Sequence, residues 1–304
     1  MKSILIIIND QNFYLSHRRY IYKKFKQYKI YCLCFKKIKS KKIDHVNFIS
    51  LNMGLYSTNI FILLKAWFKI HNIAKYLKVD LIHVYGIRPI LFSSILYLYK
   101  KNKLMTFTGM GLLKNSNKFK YIITYKLLIR IFTILNKNKF IKFNFQDSNQ
   151  KIFKNNFNFK STALIESEFF KRKLFKRKIK NIIIISRLIY SKGIYKLLKY
   201  SKYNPNINFH IIGKHDLTHP DSITKTDWKL IRSKKNIFYL GFKKNIKGYL
   251  SNSDALLFLS DYGEGIPRVI LEASALTIPI LSEKKCSIPI NMKKYIFMVK
   301  DFRI

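Results

Sequence analysis

Two short segments hold the residue types and spacings that do chemistry. DYGEGIPRVILEASALTIPIL, residues 261–281, sets Glu264 and Glu272 seven intervening residues apart, with Gly265, Ile266 and Pro267 between them. Pro267 suits the first turn of a helix running through Val269, Leu271, Glu272, Ala273 and Ala275, because the N–H it lacks is one that a helix start leaves unpaired anyway. The backbone N–H groups around Gly265 to Arg268 would then form an anion site. Glu264 lies just outside that helix start and Glu272 one to two turns inside it, each within reach of hydroxyls on whatever brings the anion. Two hydroxyl-binding carboxylates beside a phosphate site describe a nucleotide sugar. The same spacing is met by an acidic residue favouring the helix dipole plus one solvated helical glutamate, and spacing alone does not separate the two.

The second segment, SRLIYSKG at residues 186–193, follows the apolar run NIIII and precedes IYKLLKY, which reads as a helix. Arg187 and Lys192 at the end of a buried strand would project to one place, where two cations can hold a diphosphate. Their position after a strand, more than their charge, singles them out in so basic a chain.

Elements must bring these segments together. Short β-branched runs alternate with longer stretches of helical periodicity, the pattern of βα units and a mainly parallel sheet. SILIIIND, KIYCLCF, HVNFISL, DLIHVYG, KLMTFTG, FIKFNF and TALIES read as strands in the first half; NIIIISRL, NINFHIIGK, NIFYLGF, DALLFLS and IPIL follow in the second. Between the sets lies KRKLFKRKIK, residues 171–180, seven of ten basic, which suits a solvated linker. This places a boundary near residue 175, with domains at 1–174 and 175–304. Two Rossmann-like domains with parallel sheets facing a cleft are the expected architecture, and ligands of such sheets sit beyond the strands' carboxyl ends.

Composition bounds the rest. The 304 residues carry 59 Lys and Arg against 15 Asp and Glu, a formal charge of +44, and 48% are hydrophobic. A buried core is expected, with a surface that attracts phosphates, whether of nucleotides, nucleic acid or anionic membrane. An AT-rich codon bias, visible in the excess of Lys, Ile, Asn, Tyr and Phe, accounts for the charge equally well. No helix-turn-helix, RNA-binding aromatic signature or zinc ligand set supports nucleic acid as a partner. Cys32, Cys34 and Cys286 read as reduced thiols of a cytosolic protein, and no apolar run approaches the roughly 18 to 20 residues of a spanning helix. STNIFILLKAWFKIHNIAKYL, residues 57–77, is amphipathic, with Ile60, Leu63, Leu64, Trp67 and Phe68 near one face and Lys65, Lys69 and Lys75 on others. It and YIITYKLLIRIFTIL suit either a sheet-packing helix or one lying on an anionic bilayer. His83 reads as a packed core residue, and His17 beside Arg18 and Arg19 as the start of a helix, on a solvated basic surface if nothing more.

SRLIYSKG followed some seventy residues later by EGIPRVILEASALTIPI resembles the donor-binding half of the retaining glycosyltransferases of family 4, which have the GT-B fold. FYLSHRRYIYKKF, LIHVYGIRPILFSSI and TFTGMG resemble the family's first half, so the likeness runs over about residues 1 to 281. The pattern is nearest the branch that adds N-acetylhexosamines to undecaprenyl-diphosphate-linked saccharides in bacterial lipopolysaccharide and capsule assembly. The resemblance implies that Arg187 and Lys192 bind the donor diphosphate, Glu264 the transferred sugar, and Glu272 the ribose, with Gly265, Ile266 and Pro267 shaping the helix start. It places His17, Arg18, Gly109 and Gly111 on the acceptor side. It implies a UDP-sugar co-substrate, a lipid-linked acceptor, no metal or other cofactor, and a cytoplasmic enzyme peripheral to the inner face of the membrane. The sequence departs from the pattern at Thr277, where Gly is usual, and at Leu259, where Pro is usual. Its C-terminal domain is short against the pattern, which leaves a nucleotide-sugar-binding GT-B protein without turnover as the alternative.

Overall fold

The computed structural model describes residues 2–53, 60–109, 119–145, 179–215, 217, 219–262, 267–283 and 295–304. The chain divides into two compact units, Met1–Leu164 and Ile165–Ile304. The boundary expected near residue 175, the basic linker up to residue 178 and the strand expected at TALIES lie outside the described residues.

Unit 1 is a seven-stranded sheet in the order β3-β4-β2-β1-β5-β6-β7. Its strands are β1 (Ser3–Ile8), β2 (Lys29–Cys34), β3 (Lys42–Ile43), β4 (Val46–Ser50), β5 (Leu81–Tyr85), β6 (Asn102–Phe107) and β7 (Ile141–Phe145). All pair in parallel except β3, which runs antiparallel to β4. Helices α1 (Gln11–His17) and α2 (Arg19–Lys23) cover one face, where Tyr14 and Tyr22 pack on Ile4, Ile6, Cys32, Cys34 and Tyr85. The other face is covered by α3 (Ile60–Leu77), α4 (Ile87–Phe92) and α5 (Phe119–Asn136), through Ala66, Ile70 and Ala74 of α3 and Leu128, Phe132 and Leu135 of α5. The expected helix over 57–77 is thus present from residue 60, but its packed stripe differs from the one expected. Small Ala66 and Ala74 flank Ile70 against the sheet, while Leu64 and Phe68 are exposed. The buried residues 66, 70 and 74 recur at the four-residue spacing of one helical stripe, and Leu64 and Phe68 fall off it.

Unit 2 is a six-stranded sheet in the order β10-β9-β8-β11-β12-β13. It comprises β8 (Asn181–Ile185), β9 (Asn208–Ile212), β10 (Ile237–Tyr239), β11 (Ala255–Phe258), β12 (Ile280–Ser282) and β13 (Ile296–Met298), all parallel. Strand β13 was not anticipated from the sequence. Its helices are α6 (Leu197–Tyr203), α7 (Lys225–Arg232), α8 (Lys247–Ser251) and α9 (Arg268–Ala275). The core is mainly aliphatic, with Ile182, Ile184, Ile211, Ala255 and Leu257 from the strands joined by Phe209. Strands buried on both faces need no alternation, which is why NIIII reads as one continuous apolar run.

Candidate functional site

Sheet order decides where the site lies. Strands β8 and β11 are neighbours, Ile182 opposite Ala255 and Ile183 opposite Leu256. The loops that leave their carboxyl ends, Ser186 onward and Leu259 onward, therefore meet although some seventy residues separate them. Ser186 N–H bonds to Ile212 O at 3.0 Å and Leu188 N–H to Lys214 O at 3.1 Å, so the first loop follows the end of β9. Gly213 lets it: a Cβ there would stand 1.7 Å from Ser186 O.

The segment after β8 does not continue at once into an α-helix, as IYKLLKY suggests. It makes one 3-10 turn at Tyr190–Lys192, a left-handed residue at Gly193, and a second 3-10 turn at Ile194–Lys196 before α6 begins. Gly193, at φ 71°, sits so close to the second loop that a Cβ would lie 2.3 Å from Leu259 O. Only glycine meets both demands. The loops are then tied: Asp261 N–H donates to Ser191 O at 2.8 Å, and Lys196 Nζ lies 3.0 Å from Asp261 Oδ2 and 2.6 Å from Glu283 Oε2. Burial pulls the Lys196 ammonium toward neutrality, but hydrogen bonds and attraction to Glu283 and Asp261 outweigh it and raise its pKa.

A cavity of about 180 Å³ lies where the loops meet, with Ser186, Arg187, Lys192, Leu259, Ser260 and Val269 in its wall. Arg187 and Lys192 do converge. Both cations stand over the ring of Tyr262, at 5.5 Å for the Arg187 guanidinium and 4.9 Å for the Lys192 ammonium.

Helix α9 opens at the cavity's edge. Pro267 is its N-cap, at φ −65° and ψ 123°, one position ahead of the helical turn expected for it. Glu264, Gly265 and Ile266 lie outside the described residues. Glu272, in the second turn, is only 4% exposed and accepts a 2.6 Å hydrogen bond from Arg268 Nε. The solvated-glutamate reading of that position is therefore excluded. A carboxylate this buried is stable only when compensated, and the cation one turn earlier compensates it.

In unit 1 the expected acceptor-side residues sit differently from expectation. His17 ends α1 instead of starting a helix, and Arg18 is the joint between α1 and α2. His17 is exposed and stacks on Phe13 at 5.0 Å. Arg18 belongs to no solvated surface. It is 3% exposed, lies over the rings of Tyr85 at 4.3 Å and Phe13 at 5.2 Å, and donates from Nη1 to His17 O at 3.1 Å. Burial lowers its pKa. The short helices α1 and α2 turn at Arg18, which drives its side chain back toward the sheet. Gly109 follows β6, and Gly111 lies outside the described residues. His83 is a packed residue, as read: it stacks on Tyr85 at 4.0 Å, with Nδ1 2.7 Å from Tyr22 OH and Nε2 2.8 Å from Thr106 Oγ1.

The sequence reading passed over Tyr262, Lys196, Asp261 and Glu283. Lys196 was not marked by spacing, because the left-handed Gly193 breaks the helical register between it and Lys192. Nor was Glu283, because only β12 carries it to Lys196.

Solved structures share the two-unit fold at low identity. Sucrose-phosphate synthase from Thermosynechococcus elongatus matches with a TM-score of 0.72 and 13% identity, over 93% of this chain and 81% of that one. A glycosyltransferase from Rickettsia africae matches at 0.68 and 18%, over 98% and 84%. The complex of Anabaena HepE with UDP and glucose matches at 0.60 and 13%, over 93% and 80%. None of the curated proteins matches the chain. The architecture is that of the GT-B glycosyltransferases, two Rossmann-like units with parallel sheets. Residues 166–296, which carry Arg187, Lys192, Tyr262 and Glu272, match the family model described as Glycosyl transferases group 1, so fold and family match together support a glycosyltransferase.

Proposed function

We propose that the protein moves a sugar from a UDP-sugar to a glycan acceptor with retention of anomeric configuration, as the family 4 enzymes that its motifs resemble do. The observation that carries this is the convergence of Arg187 and Lys192 on one cavity beside the start of α9, with a buried carboxylate in the second turn of that helix. Two cations and a helix N-terminus neutralise a diphosphate and the charge that grows on it as the bond to the sugar breaks, which is the task a divalent metal performs elsewhere. No metal or other cofactor is then required. Glu272 accepts hydrogen bonds from the ribose and Glu264 from the transferred sugar. As the sugar's C1–O bond to the phosphate breaks, the acceptor oxygen bonds to C1 on the same face, and its proton passes to the leaving phosphate oxygen. No protein nucleophile takes part.

N-acetylhexosamine is the proposed sugar and an undecaprenyl-diphosphate-linked saccharide the proposed acceptor, both on the pattern of the motifs. UDP as the nucleotide draws support from HepE, whose structures hold UDP, UDP and glucose, and UDP-glucose. WaaB, a lipopolysaccharide outer core galactosyltransferase, and WaaG, a glycosyltransferase involved in lipopolysaccharide biosynthesis, share the fold and lend support to a role in bacterial envelope glycans. His17 and Arg18 belong to the acceptor side in this proposal, with Arg18 shaping the site from beneath. We place the enzyme at the inner face of the cytoplasmic membrane, docked through unit 1.

The two glutamates test this reading because they should fail differently. Glu272→Ala removes charge-assisted contacts worth about 1.5–3 kcal/mol, so UDP and UDP-sugar should both bind roughly ten- to a hundredfold more weakly. Glu264→Ala should leave UDP affinity within a few-fold and cut transfer by about a hundredfold, as expected for a contact that strengthens in the transition state. Calorimetric titration with UDP in the presence of a chelator, beside a transfer assay, reads both. Unchanged UDP binding by Glu272→Ala would remove the donor-site assignment.

A further inference from the structure

Arg187 and Lys192 carry like charges and repel one another where they meet, and Arg187 is exposed, so a long side chain there keeps most of its rotamer freedom unless something holds it. The face of Tyr262 is what lies under both, at 5.5 Å and 4.9 Å from its centroid. Both distances are within the roughly 6 Å at which an aromatic ring's negative face attracts a cation. The ring is itself held. Tyr262 is half-buried, and its N–H donates to Ser260 Oγ at 3.3 Å. The preceding residue, Asp261, is tied to Ser191 O by its backbone and to Lys196 by its carboxylate. The loop after β11 thus presents the ring to the loop after β8 in one fixed place.

We propose that Tyr262 is a positioning residue whose ring face holds Arg187 and Lys192 side by side, pre-arranged for the two phosphates of the donor. The inference rests on the donor-site reading above and adds a residue to it. Without the ring the exposed Arg187 loses the surface that keeps it beside Lys192, and more of the ordering must be done when the diphosphate arrives, which lowers affinity for diphosphate and not for nucleoside.

The test compares Tyr262→Leu, Tyr262→Met and Tyr262→Phe by titration with UDP and with uridine. Leu and Met should each weaken UDP by about five- to thirtyfold, the sum of two exposed cation–π contacts, while uridine stays within twofold. Phe keeps the ring and should restore UDP binding to within two- to threefold of native. In an Arg187→Ala/Lys192→Ala background the Leu substitution should cost nothing more. Native UDP affinity in both the Leu and Met variants, with Arg187→Ala still impaired, would overturn the proposal and leave the donor reading intact. An equal loss for uridine, or a Phe variant as weak as Leu, would also overturn it, since the ring would then act on the nucleoside or through its hydroxyl. A native protein that binds no UDP at all would remove the donor reading and this inference with it.

Discussion

Single residues in this protein show how burial converts a surface-looking sequence into a specific constraint. Arg18 and Glu272 are charged, yet each is almost wholly covered, one between aromatic rings and the other against Arg268. His83 is half-buried, and its surroundings have a pH consequence. Its enclosure by Tyr22, Tyr85 and Thr106, aided by the positive charge of Arg18, depresses its pKa to about 3. In the unfolded chain the ring takes up a proton near pH 6.5. Between about pH 6.5 and pH 3 the unfolded state therefore binds more protons, so this contribution is complete above pH 6.5 and is lost as pH falls through that window. His83→Gln keeps a hydrogen-bonding side chain but does not titrate. Its acid limb should be shallower than native, with on the order of 2 kcal/mol less stability lost between pH 7 and pH 4.5. Urea unfolding at the two pH values measures this, and parallel acid limbs would show that other groups dominate.

At the scale of elements, α9 ends in a way that explains the glycine usual at position 277. Ile278 N–H donates to Ala273 O at 2.9 Å and Thr277 N–H to Ser274 O at 3.0 Å, the paired bonds of a Schellman cap. That cap needs a left-handed residue, and Thr277 adopts φ 57°. A β-branched residue there is strained by about 1–2 kcal/mol. Thr277→Gly should accordingly raise stability by about 1 kcal/mol despite the added unfolded-state entropy, seen as an upward shift of the thermal midpoint by a few degrees, with UDP binding unchanged. A lower midpoint would mean that the threonine hydroxyl contributes more than the strain costs. Strand β13 shows the complementary limit. YIFMV is apolar enough to be a strand, but its short length and the departure from the family pattern around it hid the pairing with β12 that makes it one.

Over the whole molecule, the helical layer on one face of unit 1 carries an unusual outer surface. Phe61 and Phe68 of α3 are 75% and 70% exposed, Leu98 is 74% and Phe119 of α5 is 76%, among exposed Lys65, Lys69, Lys126 and Arg130. Large apolar side chains set among cations favour an anionic bilayer, each cation near the surface adding about 1 kcal/mol. No helix among the described residues is long and apolar enough to cross a membrane. Sedimentation with anionic vesicles should therefore exceed that with neutral ones and fall as salt passes about 0.1–0.2 M, where charges more than about 10 Å apart are screened. Lys65→Glu/Lys69→Glu should weaken it, and Phe61→Ser/Phe68→Ser should weaken what salt leaves. Equal partitioning to neutral and anionic vesicles would remove the electrostatic part of the docking proposal.

The α/β class was legible in the alternation of β-branched runs with helical periodicity, and the conspicuous motifs were legible in their spacing, because both depend on neighbours along the chain. NIIII, DALLFLS and the helix through Glu272 lie where their local patterns put them. What local pattern does not contain is who neighbours whom. That β8 lies against β11, so that SRLIYSKG meets Tyr262, follows from sheet order, and the same order brings Glu283 to Lys196. Nor does it contain which charges are covered. Arg18 looks like its neighbour Arg19 in the sequence, but Arg19 stays outside, paired with Asp44 at 2.9 Å, while the turn between α1 and α2 folds Arg18 under Tyr85. Burial and pairing are long-range properties, and only the tertiary structure decides them.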